Sequence, residues 1–206
     1  ATFHTGSKVI MNTSEFTNEA VFYPKKKKIL YAGNLGLYRH RSLIEFANAV
    51  QQVDPNMKVD VYGRIPDKVV KAQIDNCSAI RFHGFISYEK LKKELRESQF
   101  LLHVESFDAF YKEDLKYAFS TKIADSLAAG SCLFVYAPEN MAVIQYLQGK
   151  EAAALITTQE FLKEKIAGVL QDELLCQTYA ENGRKLAERN HNLIKNREEF
   201  QKILLT

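Results

Sequence analysis

The stretch Phe119-Ser120-Thr121-Lys122-Ile123-Ala124-Asp125-Ser126-Leu127-Ala128-Ala129-Gly130, with Cys132-Leu133-Phe134-Val135-Tyr136 behind it, decides how this chain is read. Ile123 and Leu127 lie four apart, as on the inward face of a helix, and the second run is apolar over the length of a strand. Ser120 or Thr121 is placed to cap the helix, and Gly130 to end it in the left-handed conformation. A short helix therefore feeds a buried strand.

Working outward, the same pair of patterns repeats on both sides. Strands are expected at 29–32, 59–62, 80–83, 100–104, 133–136 and 153–156, and helices at 41–53, 68–74, 88–97, 123–129, 141–147 and 161–170. Such alternation predicts an α/β, Rossmann-like parallel sheet of about six strands with helices on both faces. Ligands of these sheets bind beyond the carboxyl ends of the strands. Residues 171–205 are charged and helical by pattern, with apolar positions such as Leu186, Phe200 and Ile203 that suit packing across a neighbouring domain. Residues 1–26 read as a linker or inter-domain segment, and 27–206 as one domain with C-terminal helices. The charge run Lys25 to Lys28 reads as a solvated lead-in to the first strand.

The chain has 206 residues and 46% hydrophobic content, enough for a buried core. A net charge of +3, spread along the sequence, argues against a nucleic-acid partner. No apolar run approaches the ~20 residues that cross a membrane, so any membrane contact is expected to be peripheral. Cys77, Cys132 and Cys176 lie far apart, which fits a reducing cytoplasm and neither a zinc site nor a disulfide framework. The chain starts at Ala1 without methionine, as a piece of a longer protein would.

Unpaired N–H groups at the start of the Ile123 helix favour an anion, most often a phosphate, and Lys122 adds a full charge. Asp125, one turn further in, is placed to accept from a pair of sugar hydroxyls. Gly33-Asn34-Leu35-Gly36, after the first strand, is a loop whose backbone can approach a diphosphate, and Arg39-His40-Arg41 follows it. His83-Gly84-Phe85 can bring the chain close to a flat base or form a strand-end turn with Phe85 in the core. Glu105, Asp108, Glu113 and Asp114 put carboxylates at the same end of the sheet.

These residues also allow a plainer reading: Arg39 and Arg41 at a solvated helix start, Lys122 paired with Asp125, and His103 a satisfied core or ligand-edge residue rather than a catalytic base. The loop lacks Gly-x-Gly-x-x-Gly, and Tyr62-Gly63-Arg64 lacks the acid that grips a dinucleotide ribose, against a nicotinamide enzyme. No Asp-x-Asp occurs, and His4, His40, His83, His103 and His191 show no metal-ligand spacing.

At Ser120 to Gly130 the chain resembles the C-terminal, nucleotide-sugar-binding domain of retaining glycosyltransferases of the GT-B fold, in a form found among bacterial surface-polysaccharide enzymes. Their signature runs carboxylate, seven residues, carboxylate, two small residues, Ala-Gly and an apolar strand. Asp125 falls on the second carboxylate, which the resemblance implies holds the ribose, and Tyr117 falls on the first. The resemblance also implies two cations on the diphosphate: Asn34 stands at the first place, Arg39 at the second, and Arg41 or Lys122 can supply the missing one.

It implies transfer of a sugar from a nucleoside-diphosphate sugar to a glycan or lipid-linked acceptor, with retained configuration and without metal or other cofactor. Arg39 and Lys122 are the candidate catalytic residues. Gly33, Asn34, Arg41, Gly84, Phe85, Ser120, Thr121 and Asp125 are the candidate donor-binding ones. The acceptor half is expected in a missing N-terminal domain, and the location in the cytoplasm, at most on the inner face of the membrane. A GT-B-type epimerase or phosphorylase, or a non-catalytic nucleotide-binding module, would share the same sheet and phosphate seat.

Overall fold

The computed structural model describes residues 9–21 and 24–205. Residues 1–8 (with His4), 22, 23 and 206 of the sequence-predicted segments lie outside them. From the first strand the elements run β1 (Lys26–Ala32), α1 (Arg39–Val53), β2 (Val59–Tyr62), α2 (Lys68–Asp75) and β3 (Ile80–Gly84). Next come α3 (Tyr88–Glu97), β4 (Ser98–Val104), α4 (Ala109–Leu115), α5 (Lys122–Ala128) and β5 (Cys132–Tyr136). The chain closes with α6 (Ala142–Leu147), β6 (Ala154–Ile156), α7 (Leu162–Leu170), α8 (Glu173–Asn190) and α9 (Leu193–Leu204).

The six strands form one sheet in the order β3-β2-β1-β4-β5-β6, and every neighbouring pair is parallel. Because successive strand residues point to opposite faces, β1 sends Ile29 and Tyr31 one way and Leu30 the other. Ile29 and Tyr31 join Leu43, Phe46 and Val50 of α1 and Ile166 of α7 in one core. Leu30 joins Ile123 and Leu127 of α5 and Leu186 of α8 in the core on the opposite face. Strands buried on both sides account for the unbroken apolar runs in the sequence.

Several local signals act as read and one does not. Gly130 ends α5 with φ +65, and a Cβ there would lie 2.9 Å from Val21 Cγ1, so both conformation and space exclude a side chain. Ser120 and Thr121 do not cap α5. Thr121 already has helical backbone angles, φ −59 and ψ −27, and makes no side-chain cap bond, whereas a capping side chain needs an extended backbone. The Ile123 N–H instead bonds the Ser120 carbonyl at 3.1 Å, so the helix grows out of a preceding turn.

Two further expectations change. Glu113 and Asp114 lie in the exposed helix α4, which Asp108 caps by accepting from Phe110 N–H. Residues Lys26 to Lys28 belong to β1, and Lys25 is half-buried, donating to the Arg96 and Ala129 carbonyls at 2.7 and 3.0 Å. Burial, reinforced by Arg96 and Arg184, brings its pKa down to about 8.

The segment before β1 is tied to the far end of the chain. Phe16 is buried in the α5–α8 core. Ser14 N–H bonds the His191 carbonyl at 2.9 Å, and the Asn12 and Met11 carbonyls meet His191 Nδ1 and Asn196 Nδ2 at 2.6 and 2.9 Å.

Candidate functional site

The strand order reverses direction between β1 and β4, and crossover connections there leave on opposite faces and open a crevice at the carboxyl ends. Tyr31 and Ala32 at the end of β1, Gly33 and Asn34 after it, His103, Val104 and Glu105 at the end of β4, Arg39 of α1, and residues 118–122 line a cavity of about 270 Å³ at that point. Two adjoining cavities, about 200 and 440 Å³, share Lys122 with it. Gly33, Asn34, Arg39, Ser120, Thr121 and Lys122, predicted from distant parts of the sequence, thus meet at one place.

Close backbone packing shapes the floor. The Gly33 N–H bonds the Tyr62 carbonyl at 3.0 Å, and a Cβ on Gly63 would fall 1.9 Å from the Gly33 carbonyl oxygen. Only glycine at position 63 lets the two loops touch. Asn34 Oδ1 accepts from Gly36 N–H at 2.8 Å, so its side chain is spent on folding the loop. Leu37 and Tyr38 then adopt left-handed backbone, φ 55 and 56, a strained pair that turns the chain into α1 just ahead of Arg39.

The cations are arranged unequally. Arg39 Nε donates to Glu105 Oε2 at 2.7 Å, with the two side chains 16% and 4% exposed. Its η nitrogens have no partner among the described residues. Lys122 makes no ion pair among the described residues, and the pairing with Asp125 does not form. Arg41 turns away: it bonds Asp108 Oδ2 at 3.1 Å, lies 3.7 Å over the Tyr38 ring, and lines none of the three cavities. The second cation of this cavity is Lys122.

Asp125 lines the 440 Å³ cavity beside Lys122. Ser14 Oγ donates to its Oδ1 at 2.6 Å and the Tyr88 hydroxyl to its Oδ2 at 3.2 Å. Burial pushes its pKa up, opposed by these two hydrogen bonds. The carboxylate therefore already holds two hydroxyls of this chain, 111 and 37 residues away. No local pattern in the sequence marks either partner.

On the other flank, Tyr62, Gly63, Arg64, Phe85 and Ile86 line the 200 Å³ cavity with Gly33 and Lys122. Phe85 is not a core residue but 68% exposed, because Gly84 turns with φ +75 and throws it outward, where Arg64 lies 4.8 Å from the ring. Gly84 itself lines none of these cavities. A larger cavity, about 590 Å³ between Phe107, Asn140, Gln145 and Thr157, lies over β5 and β6 and carries no cation. Positive charge lines the smaller one, through Arg39 and Lys122.

A doubly wound parallel sheet whose reversal point gathers glycine loops and two cations defines a Rossmann-like unit. The glycosyl transferase-like family matches residues 39–202, and the chain belongs to that family. Its fold is one half of the GT-B glycosyltransferases. A mutant of TarM from S. aureus, solved with fondaparinux, α-GlcNAc-glycerol and UDP, matches with TM-score 0.72 at 13% identity over 99% of this chain and 41% of its own. AviGT4, a glycosyltransferase of avilamycin A biosynthesis, gives 0.71 at 12% identity over 96% and 57%. WaaG, a glycosyltransferase of lipopolysaccharide biosynthesis, gives 0.59 at 18% identity over 80% and 44%. The chain thus spans between 41% and 57% of these three proteins. A comparison with curated protein sequences gives no match.

Proposed function

We propose that this chain is the donor-binding half of a retaining, metal-independent glycosyltransferase that moves a sugar from a nucleoside-diphosphate sugar to a glycan or lipid-linked acceptor. The observation that carries the reading is the meeting of Arg39 and Lys122 with the Gly33 loop at the reversal point of the sheet. Breaking the bond between the sugar and the diphosphate puts charge on the leaving phosphate. Fixed donors aimed at developing charge lower the barrier without reorganising at the moment of reaction. The η nitrogens of Arg39, without a partner among the described residues, suit bidentate contact with phosphate, and Lys122 supplies a second charge in place of a metal ion.

In this arrangement the base lies toward Phe85 and Arg64, and the ribose reaches Asp125 by displacing the Ser14 or Tyr88 hydroxyl. UDP and UDP-glucose occur in structures of similar fold, so uridine diphosphate sugars are the first donors to try. The acceptor is held by a partner domain outside this chain, and α9, whose described residues include none that is buried, offers that domain an apolar stripe. No helix of the described residues is long and apolar enough to cross a membrane. A cytoplasmic protein touching the inner membrane face peripherally fits this reading.

Calorimetric titration with uridine, guanosine and adenosine diphosphate sugars tests it. Saturable binding to one of them is expected, weakened roughly 10- to 100-fold by Arg39→Ala and by Lys122→Ala, the usual cost of a charged hydrogen bond. Unchanged affinity in both variants contradicts the site. Alone, the chain is expected to bind donor and transfer little sugar, and rapid turnover by it would remove the need for a second domain.

A further inference from the structure

Tyr117, at the position where the family resemblance implies a sugar-holding carboxylate, is 82% exposed and lines none of the cavities at the reversal point. Glu105 does line the cavity that holds Arg39 and Lys122, and among the described residues it is the one carboxylate to do so. A carboxylate buried this far is tolerated only when its charge is compensated. Here Oε2 accepts from Arg39. Oε1 lies 3.3 Å from His103 Nε2, close enough for the two to interact electrostatically, and Nε2 is buried without a well-aligned hydrogen bond among the described residues. Burial pushes the Glu105 pKa up, but His103 and the Arg39 guanidinium outweigh it and hold the carboxyl below its ordinary value.

The result is a polar network in which a buried imidazole nitrogen, His103 Nε2, and the carboxylate oxygen Glu105 Oε1 lie side by side without a good hydrogen bond among the described residues, in two residues that both line the cavity of Arg39 and Lys122. Buried networks of this kind are costly unless something completes them. An anion cannot, because Glu105 would repel it. A hydroxyl can, by donating to Glu105 Oε1 while meeting His103 Nε2.

We propose that Glu105 and His103 form the clamp that holds hydroxyls of the donor sugar, taking the place of the carboxylate missing at Tyr117. The inference rests on the nucleoside-diphosphate reading of the same cavity and assigns the sugar to its β4 side. Its consequence is a split between two ligands. Beside a diphosphate, a carboxylate weakens binding of the bare nucleotide, so discrimination in favour of the sugar conjugate comes from both attraction and repulsion.

The test compares wild type, Glu105→Gln and His103→Phe by calorimetry, using uridine, guanosine and adenosine diphosphates and their glucose conjugates. Melting temperatures are recorded to show that each variant is folded, and His103→Gln serves as the conservative partner. For the base that binds, Glu105→Gln is expected to hold or tighten affinity for the bare diphosphate and to weaken the glucose conjugate about tenfold or more. His103→Phe is expected to lose in the same direction, with part of the loss restored in His103→Gln. Equal losses for both ligands in Glu105→Gln would mean that Glu105 only positions Arg39, and no change in either ligand would mean that it touches neither; both overturn the clamp while leaving the nucleotide site standing. If wild type binds none of the six compounds, the nucleotide reading fails first and the clamp falls with it.

Discussion

The reversal point of the sheet and the α8–α9 end of the chain are built on opposite plans. At the reversal point, charges are gathered, partly buried and half-paired, on backbone that the packing of Gly33 against Gly63 holds in place. At the other end, α9 is an amphipathic helix of twelve residues from Leu193 to Leu204 with no buried side chain, held through Asn192, Asn196 and the segment around Ser14. The first region leaves polar groups only partly paired among the described residues, and the second leaves apolar side chains such as Leu204 exposed. One chain thus carries half-paired buried charge in one region and exposed apolar surface in the other.

That contrast can be broken by experiment. Arg39→Ala is expected to act most strongly, because it removes a phosphate contact and also strands Glu105, buried at 4% exposure; a buried pair broken on one side costs about 3 kcal/mol or more. Denaturant unfolding should show that loss, and the double variant Arg39→Ala with Glu105→Gln should recover much of it. Lys122→Ala, at an exposed position without an ion pair among the described residues, should instead leave the melting temperature unchanged while nucleotide affinity falls roughly 10-fold or more. If Lys122→Ala destabilised the fold as much as Arg39→Ala, the division between site and scaffold would be wrong.

The second region is expected to respond to acid. His191 Nδ1 meets the Asn12 carbonyl and its Nε2 the Tyr146 hydroxyl, and burial lowers its pKa against a smaller opposing pull from Asn12. A histidine whose folded pKa is depressed contributes stability that is present above the unfolded value of 6.5 and is lost as pH falls through the folded value. Melting temperature should therefore drop on acidification below about 6.5, and His191→Gln should flatten that drop. Smallest of all, Phe200→Ser on α9 should change the stability of this chain by no more than about 0.5 kcal/mol, since more than half of the side chain is exposed. A large loss would show that the stripe is already covered.

What the sequence disclosed follows from the range of the interactions involved. The sheet was legible because a parallel strand buried on both faces writes its burial into consecutive residues, as Cys132 to Tyr136 does. The meeting of Arg39 with Lys122 was legible because in such sheets every strand end faces the same crevice. Three features were not. Asp125 is bound by Ser14 and Tyr88 through folding alone, and no local spacing records contacts 111 and 37 residues apart. Arg41 and Arg39 look alike two positions apart, yet one faces Asp108 and the other the cavity, a choice made by the left-handed pair Leu37 and Tyr38. Among the carboxylates after β4, Glu105 alone is buried, because α4 carries Glu113 and Asp114 out into solvent.

The central claim is most directly tested by a crystal structure of this chain grown with the nucleoside diphosphate that binds it best. The account predicts the diphosphate between Arg39 and Lys122 against the Gly33 loop, with the base toward Phe85. Nucleotide seated instead in the larger cavity beyond β5 and β6, which has no cation in its lining, with Arg39 and Lys122 untouched, would contradict it.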